Sequence, residues 1–287
     1  TMDDKSLAFL TIREQAELLR SRQLSPIELT ETYLKRIEQF NGQLNAYITV
    51  CRDKALAAAS EAEREIGAGQ YKGFLHGIPI AIKDQMYING VRTTGGSAIY
   101  KDLVPDEDAT VVRNINRAGG ILLGTLNTME FHMGGTINFP FGTPRNPWNL
   151  ERSPGGSSSG SGSAVAAALC SGALGGDTGG SIRGPASLCG IVGLKPTWSR
   201  VSRYGVFPLC CSQDCVGTLA RSVEDCAIIL EQIAGYDPRD PTSSKHPVPN
   251  YIAELASDLK GVRIGVVEEM LDHDGIEAET REFVKAG

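Results

Sequence analysis

Two runs rich in glycine and serine, in the middle of the chain, limit its fold more than any other sequence feature. The first run covers residues 153–163, and the second covers residues 175–181. A flexible Gly/Ser linker would account for the first run in isolation. The segments on either side of both runs, however, have the apolar patterns of packed structure. The linker interpretation therefore fits this region poorly.

The flanking segments alternate between strand and helix patterns. Ser25 and Ser222 each begin a capping box in front of an apolar periodic segment, which predicts a helix start at both places. The alanine- and glutamate-rich residues 54–66 also predict a helix. Strands that alternate with helices indicate an α/β fold. Further helices are predicted at residues 109–117 and 164–169, and strands at residues 76–84, 121–124, 190–194 and 262–267.

The composition is that of a folded globular protein without a large basic surface. Of the 287 residues, 41% are hydrophobic and 22% are charged, which excludes a wholly disordered chain and a coiled coil. The net charge of -6 argues against a broad nucleic-acid-binding face. We find neither a signal peptide nor an apolar run near the ~20 residues of a membrane span. We therefore expect a cytoplasmic protein with no direct nucleic-acid or membrane binding.

The cysteines and histidines do not form a metal-binding pattern. There are seven cysteines, an odd number without a Cys-x-x-Cys pair, which favours a reducing compartment over a disulfide framework. Cys210, Cys211 and Cys215 lie close together, but their spacing matches no common zinc site and no histidine is near. The four histidines include no His-Glu-x-x-His pair. We expect no bound metal.

Two known motifs match the glycine–serine runs only in part. A Walker-type phosphate loop needs a lysine, and neither run contains one. Residues 156–160 match the Gly-x-Ser-x-Gly nucleophile elbow, with Ser158 as the nucleophile. That elbow must follow a strand directly, and residues 149–154 have no strand pattern. Its histidine base would have to be His246 or His273, both in charged or proline-rich surroundings.

A lysine base gives a fourth interpretation, in which the runs act together with Lys83. A serine becomes a good nucleophile when a base removes its proton, and a lysine can do this only when neutral. Lys83 ends the apolar residues 78–82, which places it half buried at a strand end, where burial lowers its pKa. Residues 178–181 offer consecutive backbone N–H groups with little side-chain bulk, as an oxyanion site requires, and a hydroxyl at the end. Taken alone, Lys83 also fits an ordinary strand-end surface charge.

Five segments form a longer pattern that no single motif explains. They are residues 77–84, 145–148, 154–160, 176–183 and 193–197. In this order they resemble the amidase signature family, and the resemblance extends from about residue 73 to residue 235. The N-terminal helices are similar to those of the family as well. The resemblance implies an α/β amidase signature fold, with a mixed β-sheet covered by helices on both faces.

The resemblance also implies a Ser–Ser–Lys triad and an oxyanion hole. The lysine is Lys83, the nucleophile is Ser181, and Ser157 relays the proton after a cis peptide bond to Gly156. Asp177 and Arg183 would brace the loop, and Lys195 and the segment around Arg145 would be structural. The oxyanion hole would consist of the backbone N–H groups of Thr178, Gly179, Gly180 and Ser181.

The implied activity is hydrolysis of a small carboxamide, without a metal or organic cofactor. Neutral Lys83 would draw a proton through Ser157 while Ser181 attacks the amide carbonyl. The proton would return to the leaving nitrogen, which departs as ammonia or an amine. Water would then hydrolyse the acyl-enzyme by the same relay.

Two other functions stay open. Residues 204–206 and 234–238 resemble the A component of glutamyl-tRNA amidotransferase, which would supply ammonia to a partner, whereas residues 129–136 resemble stand-alone amidases. The third option is a catalytically silent scaffold in a larger complex. The expected substrate is a small-molecule amide, and both a homodimer and a complex with partner subunits are compatible with the sequence.

The resemblance divides the chain into three regions. Residues 1–70 would be a helical region packed on the core, and residues 71–240 the catalytic core. Residues 241–287 would be a loop and the start of the family's second half. Since family members are usually much longer, we expect a truncated chain that is a poor catalyst by itself.

Overall fold

The computed structural model describes residues 3–133, 139–271 and 273–286. This part of the chain forms two units, one that extends to Leu255 and one that starts at Ala256. All strands that the structure describes lie in the first unit. No helix within the described ranges is long and apolar enough to cross a membrane.

Helices make up most of the first 67 residues and then alternate with strands. The helices are α1 (Asp4–Phe9), α2 (Ile12–Arg20), α3 (Pro26–Leu44), α4 (Arg52–Gly67), α5 (Thr110–Arg117), α6 (Ser159–Ala166), α7 (Arg183–Cys189), α8 (Val223–Ile233), α9 (Tyr251–Glu254), α10 (Glu268–Leu271) and α11 (Ala278–Ala286). The strands are β1 (Tyr47–Val50), β2 (Pro79–Lys83), β3 (Ile121–Leu126), β4 (Gly172–Asp177), β5 (Val192–Leu194) and β6 (Cys215–Ala220).

The strands form one mixed sheet in the order β1-β3-β2-β4-β6-β5. β2 is parallel to its neighbours β3 and β4, whereas the three other pairings are antiparallel. Every residue of β2, β4 and β6 is buried. Because successive strand side chains point to opposite faces, helices must cover both faces of the sheet. The predicted α/β fold with a mixed sheet is therefore confirmed.

Local capping signals begin two helices where the sequence predicts them. The Ser25 hydroxyl accepts hydrogen bonds from the N–H groups of Ile27 and Glu28 at the start of α3. The Ser222 hydroxyl accepts one from Asp225 N–H at the start of α8. The predicted helices at residues 54–66 and 109–117 coincide with α4 and α5, and the strands predicted at 76–84, 121–124 and 190–194 overlap β2, β3 and β5.

The first glycine–serine run is packed helix rather than linker. α6 begins at Ser159, earlier than the predicted helix at residues 164–169, and most of the run is buried. A Cβ on Gly160 would overlap with the backbone oxygen of Ala46 and the backbone nitrogen of Asn127. Only glycine allows the helix to approach that backbone so closely.

The sequence missed three strands and predicted one that is absent. β1, β4 and β6 were not expected, and β4 is rich in glycine, which disfavours strands in isolation. β4 is instead stabilised by pairing with β2 on one side and β6 on the other. The strand predicted at residues 262–267 is wrong. These residues are exposed and pair with no described strand, so their backbone lacks the neighbour that a strand requires.

The close approach at Gly160 predicts a large effect of one methyl group. Gly160→Ala should lower the free energy of unfolding by about 1–3 kcal/mol because the helix must move away from Ala46. Gly67→Ala is the matched control, since no atom lies within 4 Å of its added Cβ at the end of α4. The control should change stability by less than about 0.5 kcal/mol or raise it. Equal urea-unfolding midpoints for the two variants would contradict this packing argument.

Candidate active site

Lys83 is the last residue of β2, and its side chain is completely buried. Its Nζ donates a hydrogen bond of 2.7 Å to the Ser157 hydroxyl and one of 3.4 Å to the carbonyl oxygen of Gly176. Gly176 lies in β4, which runs parallel to β2, so that both strands end at the same edge of the sheet. The lysine expected to be half buried is therefore fully enclosed and in contact with a serine.

Burial controls the charge of this lysine. It lowers the pKa of Lys83 to about 7, and the negative charges of Asp177 and Asp214 act against that shift. A substantial fraction of Lys83 is therefore neutral near pH 7. A neutral amine accepts a proton from a hydroxyl, which an ammonium group cannot do.

The backbone of Ser157 is fixed on the side away from Lys83. The peptide bond between Gly156 and Ser157 is cis, as the family resemblance implied. The Ser157 carbonyl oxygen accepts hydrogen bonds from the Thr128 hydroxyl at 2.9 Å and from the Met129 N–H at 3.3 Å. These bonds hold the residue while its hydroxyl meets the lysine.

Ser158, the candidate of the nucleophile-elbow interpretation, has a structural role. Its buried hydroxyl donates to the Gly176 carbonyl oxygen at 3.2 Å. Its N–H donates to the Ser181 carbonyl oxygen at 3.2 Å, which joins the two glycine–serine runs. Within the described ranges, no hydrogen bond links the hydroxyls of Ser157 and Ser181. Such contacts often tighten only when substrate is bound.

The Asp177 carboxylate organises the loop that follows β4. It accepts hydrogen bonds from the N–H groups of Gly180 at 2.8 Å and Ile182 at 3.0 Å, and from the Arg183 guanidinium at 3.0 and 3.1 Å. Burial by itself would raise the pKa of Asp177, but the hydrogen bonds from Arg183 and from the backbone outweigh it and lower the pKa to about 2. Asp177 and Arg183 thus contact the loop as braces.

The backbone donors of this loop are unequal. Of the four N–H groups assigned to the oxyanion hole, that of Gly180 donates to Asp177. Those of Thr178, Gly179 and Ser181 donate to no residue that the structure describes. Gly180 has φ +126°, a conformation that favours glycine, and added Cβ atoms at Gly179 and Gly180 would meet open space. Three donors therefore remain for a ligand oxygen.

A second carboxylate, which the sequence analysis missed, fixes the other side of the loop. Asp214 accepts hydrogen bonds from the Thr178 hydroxyl at 2.5 Å and from the N–H groups of Leu209 and Cys210 at 2.9 Å. Asp214 was noted only as the end of a cysteine-rich segment. No local spacing rule connects it to Thr178, which is 36 residues away.

A cavity of about 230 Å³ lies beside the glycine loop. Its two arginines are paired with carboxylates: Arg203 with Asp240 at 4.0 Å, and Arg239 with Asp237 at 3.2 Å. Paired charges and a small volume suit a small neutral polar group better than an ion. The lining includes Gln85, His132, Gly176, Asp177, Thr178, Tyr204, Phe207, Cys211 and Asp214.

The remaining candidates lie apart from this chemistry. Lys195 Nζ donates to the Pro196 carbonyl oxygen, and Arg145 donates to that of Leu150, which agrees with structural roles. All seven cysteines are free. No group of three His, Cys, Asp or Glu residues suited to a metal ion occurs among the residues with described positions. Residues 134–136, part of the segment that resembles stand-alone amidases, lie outside the described residues.

Comparison with known proteins gives a consistent family. The Amidase family model matches residues 28–286. The A component of the glutamyl-tRNA(Gln) amidotransferase of Thermosynechococcus vestitus is 47% identical over 276 residues, which are 96% of this chain and 57% of that protein. The peptide amidase of Stenotrophomonas maltophilia superposes with a TM-score of 0.82 and 39% identity over 86% of this chain and 53% of its own.

A further solved structure has a TM-score of 0.86 and 38% identity, and the match covers 88% of this chain and 56% of that one. It is a vestigial protein complex that bears on the evolutionary origins of an s-triazine catabolic enzyme. The chain spans a little over half the length of the curated relatives it matches. The family model covers both glycine–serine runs and Lys83. The chain therefore belongs to the amidase signature family.

Proposed function

We propose that the protein cleaves the C–N bond of a small carboxamide through an acyl-enzyme on Ser181. The observation that carries the proposal is the 2.7 Å hydrogen bond between Lys83 Nζ and Ser157 Oγ. Burial lowers the pKa of this lysine to about 7. A base with that pKa, in contact with a serine hydroxyl, is suited to proton transfer near neutral pH.

In the proposed first half-reaction, Lys83 accepts the proton of Ser157, and Ser157 accepts that of Ser181. The Ser181 Oγ attacks the carbonyl carbon, and the free N–H groups of the glycine loop stabilise the negative oxygen. The proton on Lys83 returns through Ser157 to the leaving nitrogen as the C–N bond breaks. Ammonia or an amine departs, and the acyl group stays on Ser181.

In the second half-reaction, water takes the place of Ser181 in the relay. Its proton passes through Ser157 to Lys83, and its oxygen attacks the acyl carbon. Ser181 leaves with the returned proton, which gives a carboxylic acid and the free enzyme. The scheme uses only side chains and backbone of this chain.

A second candidate function is the A component of a glutamine-dependent amidotransferase. The relative that is 47% identical carries that name, and this observation favours the amidotransferase over a stand-alone amidase as the biological setting. The proposed chemistry at Ser181 is the same, with glutamine as the amide and a partner as the acceptor of ammonia. Ammonia released from glutamine only when the other amidotransferase components are added would support this setting. Release from simple amides by the protein alone would support the amidase.

A silent scaffold is the least supported function. The buried Lys83–Ser157 contact and the open glycine loop before Ser181 serve no purpose in such a protein. We further propose a cytoplasmic location, which the seven free cysteines favour.

The proposal predicts which serine forms the covalent bond. A fluorophosphonate probe should label Ser181, and peptide mapping by mass spectrometry identifies the site. Ser181→Ala should abolish labelling because the nucleophile is lost. Ser158→Ala is the control and should still be labelled, since its hydroxyl serves only Gly176 in the structure. A label on Ser158 in the unaltered protein would contradict the triad.

Replacement of the base tests the relay. Lys83→Met keeps the length of the side chain but removes the amine, and kcat/KM should fall at least about 100-fold. In the unaltered protein, kcat/KM should rise with pH through about 7 because the neutral lysine is the active form. Lys101→Met, at an exposed position, is the control and should keep this profile. Full activity in Lys83→Met would reduce Lys83 to a structural group.

The brace at Asp177 predicts a pH-dependent loss of stability. The pKa of about 2 lies below the ordinary 3.8, so the stabilisation is present above about pH 4 and is lost as the pH falls toward 2. Asp177→Asn should therefore lower the free energy of unfolding by about 2 kcal/mol at pH 7 and by less at pH 3. The exposed Asp102→Asn should have little effect at either pH. An equal deficit for Asp177→Asn at both pH values, measured by urea unfolding, would contradict the brace.

A further inference from the structure

Two buried polar side chains that line the cavity have no partner in the described structure. His132 is 4% exposed and Gln85 is 5% exposed. His132 Nε2 and Gln85 Oε1 make no hydrogen bond with any residue of the described ranges. Unpaired buried polar atoms are unfavourable, and those in native proteins usually have a reason. A ligand in the cavity supplies one.

The hydrogen bonds around Thr128 define the chemical character of His132. The Thr128 hydroxyl has one proton, which it donates to the Ser157 carbonyl oxygen at 2.9 Å. At 3.2 Å from this hydroxyl, His132 Nδ1 is therefore the donor and carries the ring proton. Burial and the nearby Lys83 charge hold the pKa of His132 well below its usual range, so the ring is neutral. Its Nε2 is then a bare hydrogen-bond acceptor.

Both side chains flank the Lys83–Ser157 pair. His132 is connected to Ser157 through Thr128. The amide of Gln85 lies against Gly176, where an added Cβ would overlap with Gln85 Nε2, and the Gly176 carbonyl accepts from Lys83. The backbone holds His132 there with φ values of +48° at Phe131 and +63° at His132, which are unusual for non-glycine residues.

We infer that His132 Nε2 accepts a hydrogen bond from an N–H of the substrate carboxamide, with the Gln85 amide as a second polar contact. The inference rests on the proposed function and narrows its substrate class to amides that carry N–H, primary carboxamides above all. Ser157 returns a proton to the leaving nitrogen, so that nitrogen must lie next to Ser157. An acceptor on the same side distinguishes an amide from an ester, which has no N–H to donate.

The test compares an amide and an ester with the same acyl group. His132→Ala should lower kcat/KM for butyramide by roughly 10-fold to 100-fold and that for methyl butyrate by less than about 3-fold. His132→Gln, which restores an acceptor, should recover part of the amide activity. His246→Ala, at an exposed histidine, is the matched control. Parallel losses for both substrates would show a merely structural role, and unchanged values for both would also overturn the inference.

A second measurement separates this inference from the proposed chemistry. In Ser181→Ala, which cannot form an acyl-enzyme, ¹⁵N spectra of labelled histidine should show His132 Nε2 without a proton at pH 7. Added butyramide should shift that resonance, and methyl butyrate should not. A protonated Nε2, or no shift with butyramide, overturns the inference. If the resonance shifts while no fluorophosphonate label appears on Ser181 in the unaltered protein, the binding inference stands and the proposed acyl-enzyme fails.

Discussion

A lysine amine enclosed where β2 and β4 end is the constraint on which the site depends. The two parallel strands bring Lys83 beside the Gly176 carbonyl, and the cis bond before Ser157 accompanies the turn that brings a hydroxyl to the amine. A charge buried at this depth is unfavourable, which is why the pKa of Lys83 falls to about 7. The packing that makes the sheet compact is therefore the same packing that makes the lysine a base.

The two glycine–serine runs serve different purposes in this arrangement. In the first run, glycine lets α6 approach the backbone of Ala46, and this packing places Ser157 and Ser158 at the start of the helix. In the second run, glycine leaves open space beside backbone donors, while buried Asp177 fixes their direction. A similar composition thus gives tight packing in one place and an open site in the other.

Much of the fold and of the candidate site was predictable because the signals are local or repeat in a family pattern. Capping at Ser25 and Ser222 and the apolar run before Lys83 depend on nearby residues. β4 was missed because its stability comes from pairing with β2 and β6 rather than from its own glycine-rich sequence. The contacts of Asp214, Gln85 and His132 with the site are long-range, and no spacing in the sequence indicates them. The partial use of the oxyanion donors depends likewise on Asp177, whose bonds only a structure shows.

The titration of Lys83 itself tests the central claim most directly. Lysine labelled with ¹³C at Cε gives an NMR signal for each side chain, and comparison with Lys83→Met assigns the one from Lys83. The account predicts that this signal titrates with a midpoint near pH 7, whereas exposed lysines titrate near their ordinary value. A midpoint near 10.5, the ordinary value for lysine, would show that Lys83 stays charged at neutral pH and cannot act as the base.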